Sequence, residues 1–110
     1  MKSKVYYTKE ITADSLIKIY EALGVELTGN IGIKVSTGEK GAKGYLKSDL
    51  IKPSVDKLNG TIIECNTAYP GARNDAIEHM KVAKEHGFVD MIVNRAEMRQ
   101  TLVKLLQLHV

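Results

Sequence analysis

Asn30-Ile31-Gly32-Ile33-Lys34-Val35-Ser36, running directly into Thr37-Gly38-Glu39-Lys40-Gly41-Ala42-Lys43-Gly44-Tyr45, is the stretch on which the fold turns. Its first half is apolar enough for a central strand, bounded by turn-forming residues. Its second half is a loop with three glycines. A strand that ends in such a loop and is followed by a helical pattern belongs to an α/β chain.

Reading outward, Ser48 opens a helical pattern with Leu50, Ile51, Val55 and Leu58 apolar and Asn59-Gly60 closing it. Pro53 inside it has no N–H to donate, so a kink or restart is expected there. Thr61-Ile62-Ile63-Glu64-Cys65 reads as the next strand, and a polar loop follows from Asn66 to Arg73. Asn74 is placed to cap a helix presenting Ile77, Met80 and Ala83, with Gly87 as its stop. Toward the N-terminus, Lys4 to Thr8 reads as a first strand around Val5-Tyr6-Tyr7. Thr12 caps a helix carrying Leu16, Ile17, Tyr20 and Leu23, and Gly24 ends it. Toward the C-terminus, Phe88 to Val93 reads as a fourth strand. Asn94 and Glu97 have capping-box spacing, and a last helix would show Met98, Leu102, Leu105 and Leu106 on one face. The expectation is a single α/β domain over residues 1–110: a mostly parallel four-stranded sheet in the order β-α-β-α-β-α-β-α, with right-handed crossovers and helices on its faces.

Composition agrees with one globular core in 110 residues, 44% hydrophobic and 26% charged. With Phe 1 and Trp 0, that core is aliphatic. Sixteen Lys and Arg against 13 Asp and Glu give a formal charge of +3. The lysines are scattered and not interleaved with aromatics, so no nucleic-acid surface is indicated. One cysteine excludes an internal disulfide and a four-thiolate metal site and suits a reducing compartment. No run approaches the ~18 apolar residues of a membrane span, and the first residues lack the apolar stretch of a signal peptide. A cytoplasmic protein without membrane contact is therefore expected.

Ligands of open parallel sheets bind beyond the carboxyl ends of the strands. Here that places two loops together. The Ser36–Tyr45 loop offers glycine backbone with Ser36, Thr37, Lys40 and Lys43, and Gly38 and Glu39 between them, with Lys34 just before it, as an anion cradle or as a mobile turn. It is not a P-loop, because no Gly-Lys-Ser/Thr follows at the required spacing. The next loop brings Glu64, Cys65 and Asn66 to one strand end, with Arg73 nearby. Cys65 reads as a nucleophile, were a base or cation to lower its pKa from about 8.5, or as a buried inert thiol. His79, His86 and His109 read as surface or helix-end residues, and no metal site or catalytic set is indicated.

Several motifs resemble the uncharacterised iron–sulfur-centre protein family, domain of unknown function 362. They are Lys4-Val5-Tyr6, Glu21-Ala22-Leu23-Gly24-Val25, Lys34-Val35-Ser36-Thr37-Gly38-Glu39, Leu50-Ile51-Lys52-Pro53 and Asn59 to Tyr69 with Arg73-Asn74. The resemblance implies a shared N-terminal α/β half. The clustered cysteines of the accompanying ferredoxin-like segment have no counterpart, so no iron–sulfur cluster, and no other cofactor, is expected in this chain. From Glu85-His86-Gly87-Phe88-Val89-Asp90-Met91-Ile92-Val93 through Arg95, Glu97-Met98-Arg99 and Leu102, the chain resembles the closing segment of the acetyl-CoA carboxylase carboxyltransferase β subunit. Both resemblances meet near 85–88, which suggests a fragment or a chimera with its seam there. The expected function is a non-catalytic α/β domain with a small anionic ligand, able to self-associate through an edge strand. The alternatives are a redox or iron–sulfur-associated module and a carboxyltransferase fragment.

Overall fold

Thr12 and Ser15 cap each other reciprocally: the Thr12 hydroxyl accepts from the Ser15 N–H, and Ser15 Oγ accepts from the Thr12 N–H. This satisfies donors that a helix start leaves open and begins α1, Ala13–Ala22. The computed structural model describes residues 2–88 in full, together with the backbone of the strands at 92–93 and 103–107. The elements after α1 are β1 (Asn30–Lys34), α2 (Ser48–Leu58), β2 (Thr61–Ile63), α3 (Ala76–Glu85), β3 (Ile92–Val93) and β4 (Val103–Gln107).

β1 and β2 pair in parallel, with Gly32 opposite Thr61 and Lys34 opposite Ile63. β3 pairs in parallel with β2, and β4 with β1, giving the order β3-β2-β1-β4. Alternation along β1 sends Ile31 and Ile33 to one face. There they join Val35, Ile62, Ile51 and Val55 of α2, Ala83 of α3, and Phe88 in the buried core. Leu16 of α1, Leu27, Tyr45, Leu46 and Leu58 pack around that core. Burial of Ile33, Ile51, Ile62 and Phe88 is complete, and each such side chain stabilises the fold by about 1.5–3 kcal/mol.

The expected alternation of four strand–helix units is overturned. Among the described residues the first element is a helix, there are three helices, and the order is α-β-α-β-α-β-β. Residues 4–8 form no strand. Their β-rich run pairs with none of the four strands, whose order is β3-β2-β1-β4, and an unpaired strand is not stable alone. The expected last helix fails at Val103–Gln107, which is strand β4 and includes Leu105 and Leu106. A short apolar run reads equally as strand or helix, and pairing with β1 decides it. The capping pair Asn94 and Glu97 lies outside the described residues, as do 89–91 of the expected fourth strand. Pro53 sits inside α2 without ending it. The cap of α3 is Asp75, whose carboxylate accepts from the Ile77 and Glu78 N–H groups, while Asn74 Nδ2 donates to the Thr67 carbonyl.

Candidate functional site

The carboxyl ends of β1 and β2 carry the two loops singled out above, and a single buried carboxylate joins them. Glu64, one residue beyond β2, accepts at Oε2 from the Thr37 N–H (3.0 Å) and the Thr37 hydroxyl (2.5 Å). Its Oε1 accepts from Arg73 Nη1 at 2.6 Å. His79 of α3 completes the set, with Nε2 3.0 Å from Glu64 Oε2 and Nδ1 2.8 Å from Asn66 Oδ1. An ionised carboxylate removed from water needs such partners; here they come from three segments distant in sequence.

Arg73 is shared between two carboxylates. Nη1 serves Glu64 and also lies 3.3 Å from Ser36 Oγ. The other edge, Nε and Nη2, donates to Glu39 Oε1, with Nε at 3.0 Å. The Tyr69 hydroxyl donates to the same oxygen at 2.6 Å. Hydrogen bonds from Arg73 and then Tyr69 hold the Glu39 carboxyl below its ordinary value, and Glu39 in turn raises Arg73. Glu39 itself sits at the head of a turn closed by the Ala42 N–H on the Glu39 carbonyl (3.0 Å), with Gly41 at φ 76.

The glycine-rich loop is fastened from above. Gly38 has φ 92, and a Cβ there would lie 2.5 Å from Tyr45 Cβ. The Tyr45 ring stacks on His86, the C-cap of α3, with centroids 3.8 Å apart and planes at 7°. His86 Nδ1 is 2.6 Å from the Thr37 carbonyl oxygen, to which it donates. Lys47 Nζ lies 3.8 Å from the Tyr45 ring centre. The result is a cleft of about 470 Å³ lined by Val35, Ser36, Gly38, Glu39, Ala42, Gly44, Tyr45, Leu46 and Arg73.

Of the residues singled out from the sequence, Ser36, Thr37, Glu39, Glu64, Asn66 and Arg73 meet in this bonded cluster, and Gly38 shapes its wall. Lys34 stands apart, with Nζ donating to the Val35 carbonyl at 3.2 Å. Cys65 is exposed, so it is not the buried thiol expected. His79 and His86 were read as surface or helix-end residues; His79 is in fact buried at the centre. The signal was spacing: His79, Val82, Ala83 and His86 form an i, i+3, i+4, i+7 stripe, whereas Ile77, read as core, is exposed.

Among the described residues no group of three His, Cys, Asp or Glu side chains is arranged to hold a metal ion, and no helix is long and apolar enough to cross a membrane. No protein-family model matches the chain, and no solved structure matches it; the resemblance to the iron–sulfur-centre family finds no support. Three curated proteins match short segments. The chain is similar to acetyl-coenzyme A carboxylase carboxyl transferase subunit beta 1 of Lachnospira eligens, 47% identical over 36 residues, 33% of this chain and 14% of that protein. It is similar to subunit beta of Pelotomaculum thermopropionicum at 47% over 36 residues, 33% of the chain and 13% of that protein. With subunit beta of Prochlorococcus marinus it shares 68% over 25 residues, 23% of the chain and 9% of that protein. The match thus spans about one seventh or less of these relatives, and what it establishes is a short carboxyltransferase-β-like segment within an α/β chain.

Proposed function

We propose that this chain is a non-catalytic α/β module that binds a small oxyanion-bearing molecule in the cleft between the 36–47 and 64–73 loops. One observation carries the reading: a cleft of about 470 Å³ opens at the carboxyl ends of parallel strands with Arg73 among its lining residues, the place where open α/β sheets receive ligands. The non-catalytic part of the reading draws its support from how the polar groups are committed. The Thr37 hydroxyl is tied to the buried Glu64 carboxylate, and both ring nitrogens of His79 are engaged by Glu64 and Asn66, which supports a scaffold role for these groups. Melting temperature of the chain in millimolar phosphate and small carboxylates tests this. A rise that saturates with concentration is expected, and an unchanged melting temperature with all of them refutes it.

The similarity to carboxyl transferase subunit beta supports a second reading, in which the chain docks onto a component of an acetyl-coenzyme A carboxylase. Immobilised chain mixed with purified carboxylase components should then retain one of them in a stoichiometric, salt-resistant complex. No retention at micromolar concentration removes that reading.

A further inference from the structure

We propose that Glu39 is the resident occupant of a carboxylate-recognition site on Arg73, and that a small carboxylic acid with a short apolar body binds by exchanging with it. The inference rests on the cleft being a ligand site and names what that site takes. Three donors converge on one oxygen, Glu39 Oε1: the Tyr69 hydroxyl at 2.6 Å, Arg73 Nε at 3.0 Å, and Arg73 Nη2. Converging donors around one oxygen are what a protein presents to an oxyanion.

The two carboxylates on Arg73 are unequal. Glu64 is 4% exposed and held by Thr37, Arg73 and His79, so it is part of the scaffold. Glu39 is 44% exposed and hangs from a turn flanked by Gly38 and Gly41, both at positive φ. It is the partner that can leave. The Nε–Nη2 edge of an arginine is a planar fork that matches both oxygens of a carboxylate, and Glu39 places only Oε1 on it. An incoming carboxylate can use two oxygens while preserving charge balance; a neutral molecule would leave that edge unpaired. Beside the fork, Val35, Ala42, Tyr45 and Leu46 supply the apolar wall of the cleft, which fits a short hydrocarbon body and offers little to inorganic phosphate.

Calorimetric titration of the full chain with butyrate and with inorganic phosphate tests the exchange, using wild type, Glu39→Ala and Glu39→Gln. Removing the resident carboxylate is expected to tighten butyrate binding about tenfold, a change of about 1.4 kcal/mol, with phosphate weaker than butyrate. Glu39→Gln, which keeps side-chain size, gives the same direction and serves if Glu39→Ala does not melt cooperatively. Tyr69→Phe added to Glu39→Ala should return part of the gain. Equal butyrate affinity in wild type and both Glu39 variants overturns the exchange while leaving the cleft a ligand site. Phosphate binding as tightly as butyrate overturns the carboxylate assignment. No binding of either probe to any of the three proteins overturns both the exchange and the ligand site beneath it.

Discussion

The cluster around Glu64 and the segment from Lys4 to Ile11 are opposites in sequence and in outcome. The first is polar and charged yet buried: Glu64, Arg73, His79 and Thr37 are each under 9% exposed. The second has strand-forming Val5, Tyr6 and Tyr7, yet Val5 is 89% and Tyr7 80% exposed and no strand forms. Partners, not residue type, decide the difference. A carboxylate goes inside when donors from three segments meet it, and a strand-like run that pairs with no strand stays outside.

The largest effect should come from emptying the cluster's centre. Glu64→Ala removes the acceptor shared by Thr37, Arg73 and His79 and leaves a buried guanidinium with only Glu39 to offset it. Loss of one partner of a buried pair costs about 3–5 kcal/mol, so the urea midpoint should fall steeply with little change in slope. A fall of under about 1 kcal/mol would show that the cluster is not structural. Next in size is Gly38→Ala, which forces a Cβ into Tyr45 at a φ of 92. Strain of this kind costs about 1–3 kcal/mol. It should also disturb the Tyr45–His86 stack, read as a change in the His86 ring proton shifts by NMR.

How far the sequence disclosed this site can be followed on α3. The loops were legible because glycines, Glu64-Cys65-Asn66 and Arg73 cluster where strands end, and six of the residues chosen there do meet. His79 was not legible as part of the site. A helix read from Ile77, Met80 and Ala83 has one apolar face, and one read from His79, Val82 and Ala83 has another. Only Glu64's demand for donors selects the second, and that demand arises from the fold. The same limit explains Val103–Gln107, whose leucines fit a helix until the open edge of β1 claims them as a strand. Capping signals act within a few residues and were legible at Thr12, which caps α1, and at Asn59, which ends α2 at φ 46, though not at Asn74, whose place Asp75 takes.

A smaller, pH-dependent effect separates the two carboxylates on Arg73. The carboxyl of Glu39 is lowered in the folded chain by Arg73 and Tyr69 from its ordinary 4.5. A depressed folded pKa means the unfolded chain takes up the proton first. The stabilisation from Glu39 is therefore complete above about 4.5 and lost as pH falls through the lower folded value. Glu39→Gln should flatten that part of the acid unfolding profile and lower stability near pH 7 by the same small amount, because half-exposed pairs contribute little. An acid limb identical to wild type would mean that Arg73 does not hold Glu39 in solution.

The smallest effect is expected at the other pole of the comparison. Val5→Ser and Tyr7→Ser replace exposed apolar side chains in a segment with no strand partner, and surface changes of this kind stay within about 0.5 kcal/mol. The contrast with Glu64→Ala is the informative part: a conventional hydrophobic-to-polar change in the most strand-like sequence of the N-terminus should matter less than loss of a carboxylate from a loop. Tyr6, Tyr7 and Ile11 line an apolar groove with Leu16, Ile19 and Leu50, so Val5→Ser is the cleaner surface change and Ile11→Ser the sterner control. If Val5→Ser or Tyr7→Ser instead costs more than about 1.5 kcal/mol in urea, residues 4–8 are packed against something in solution. The rule that partners decide burial would then hold with a partner supplied from outside the described chain.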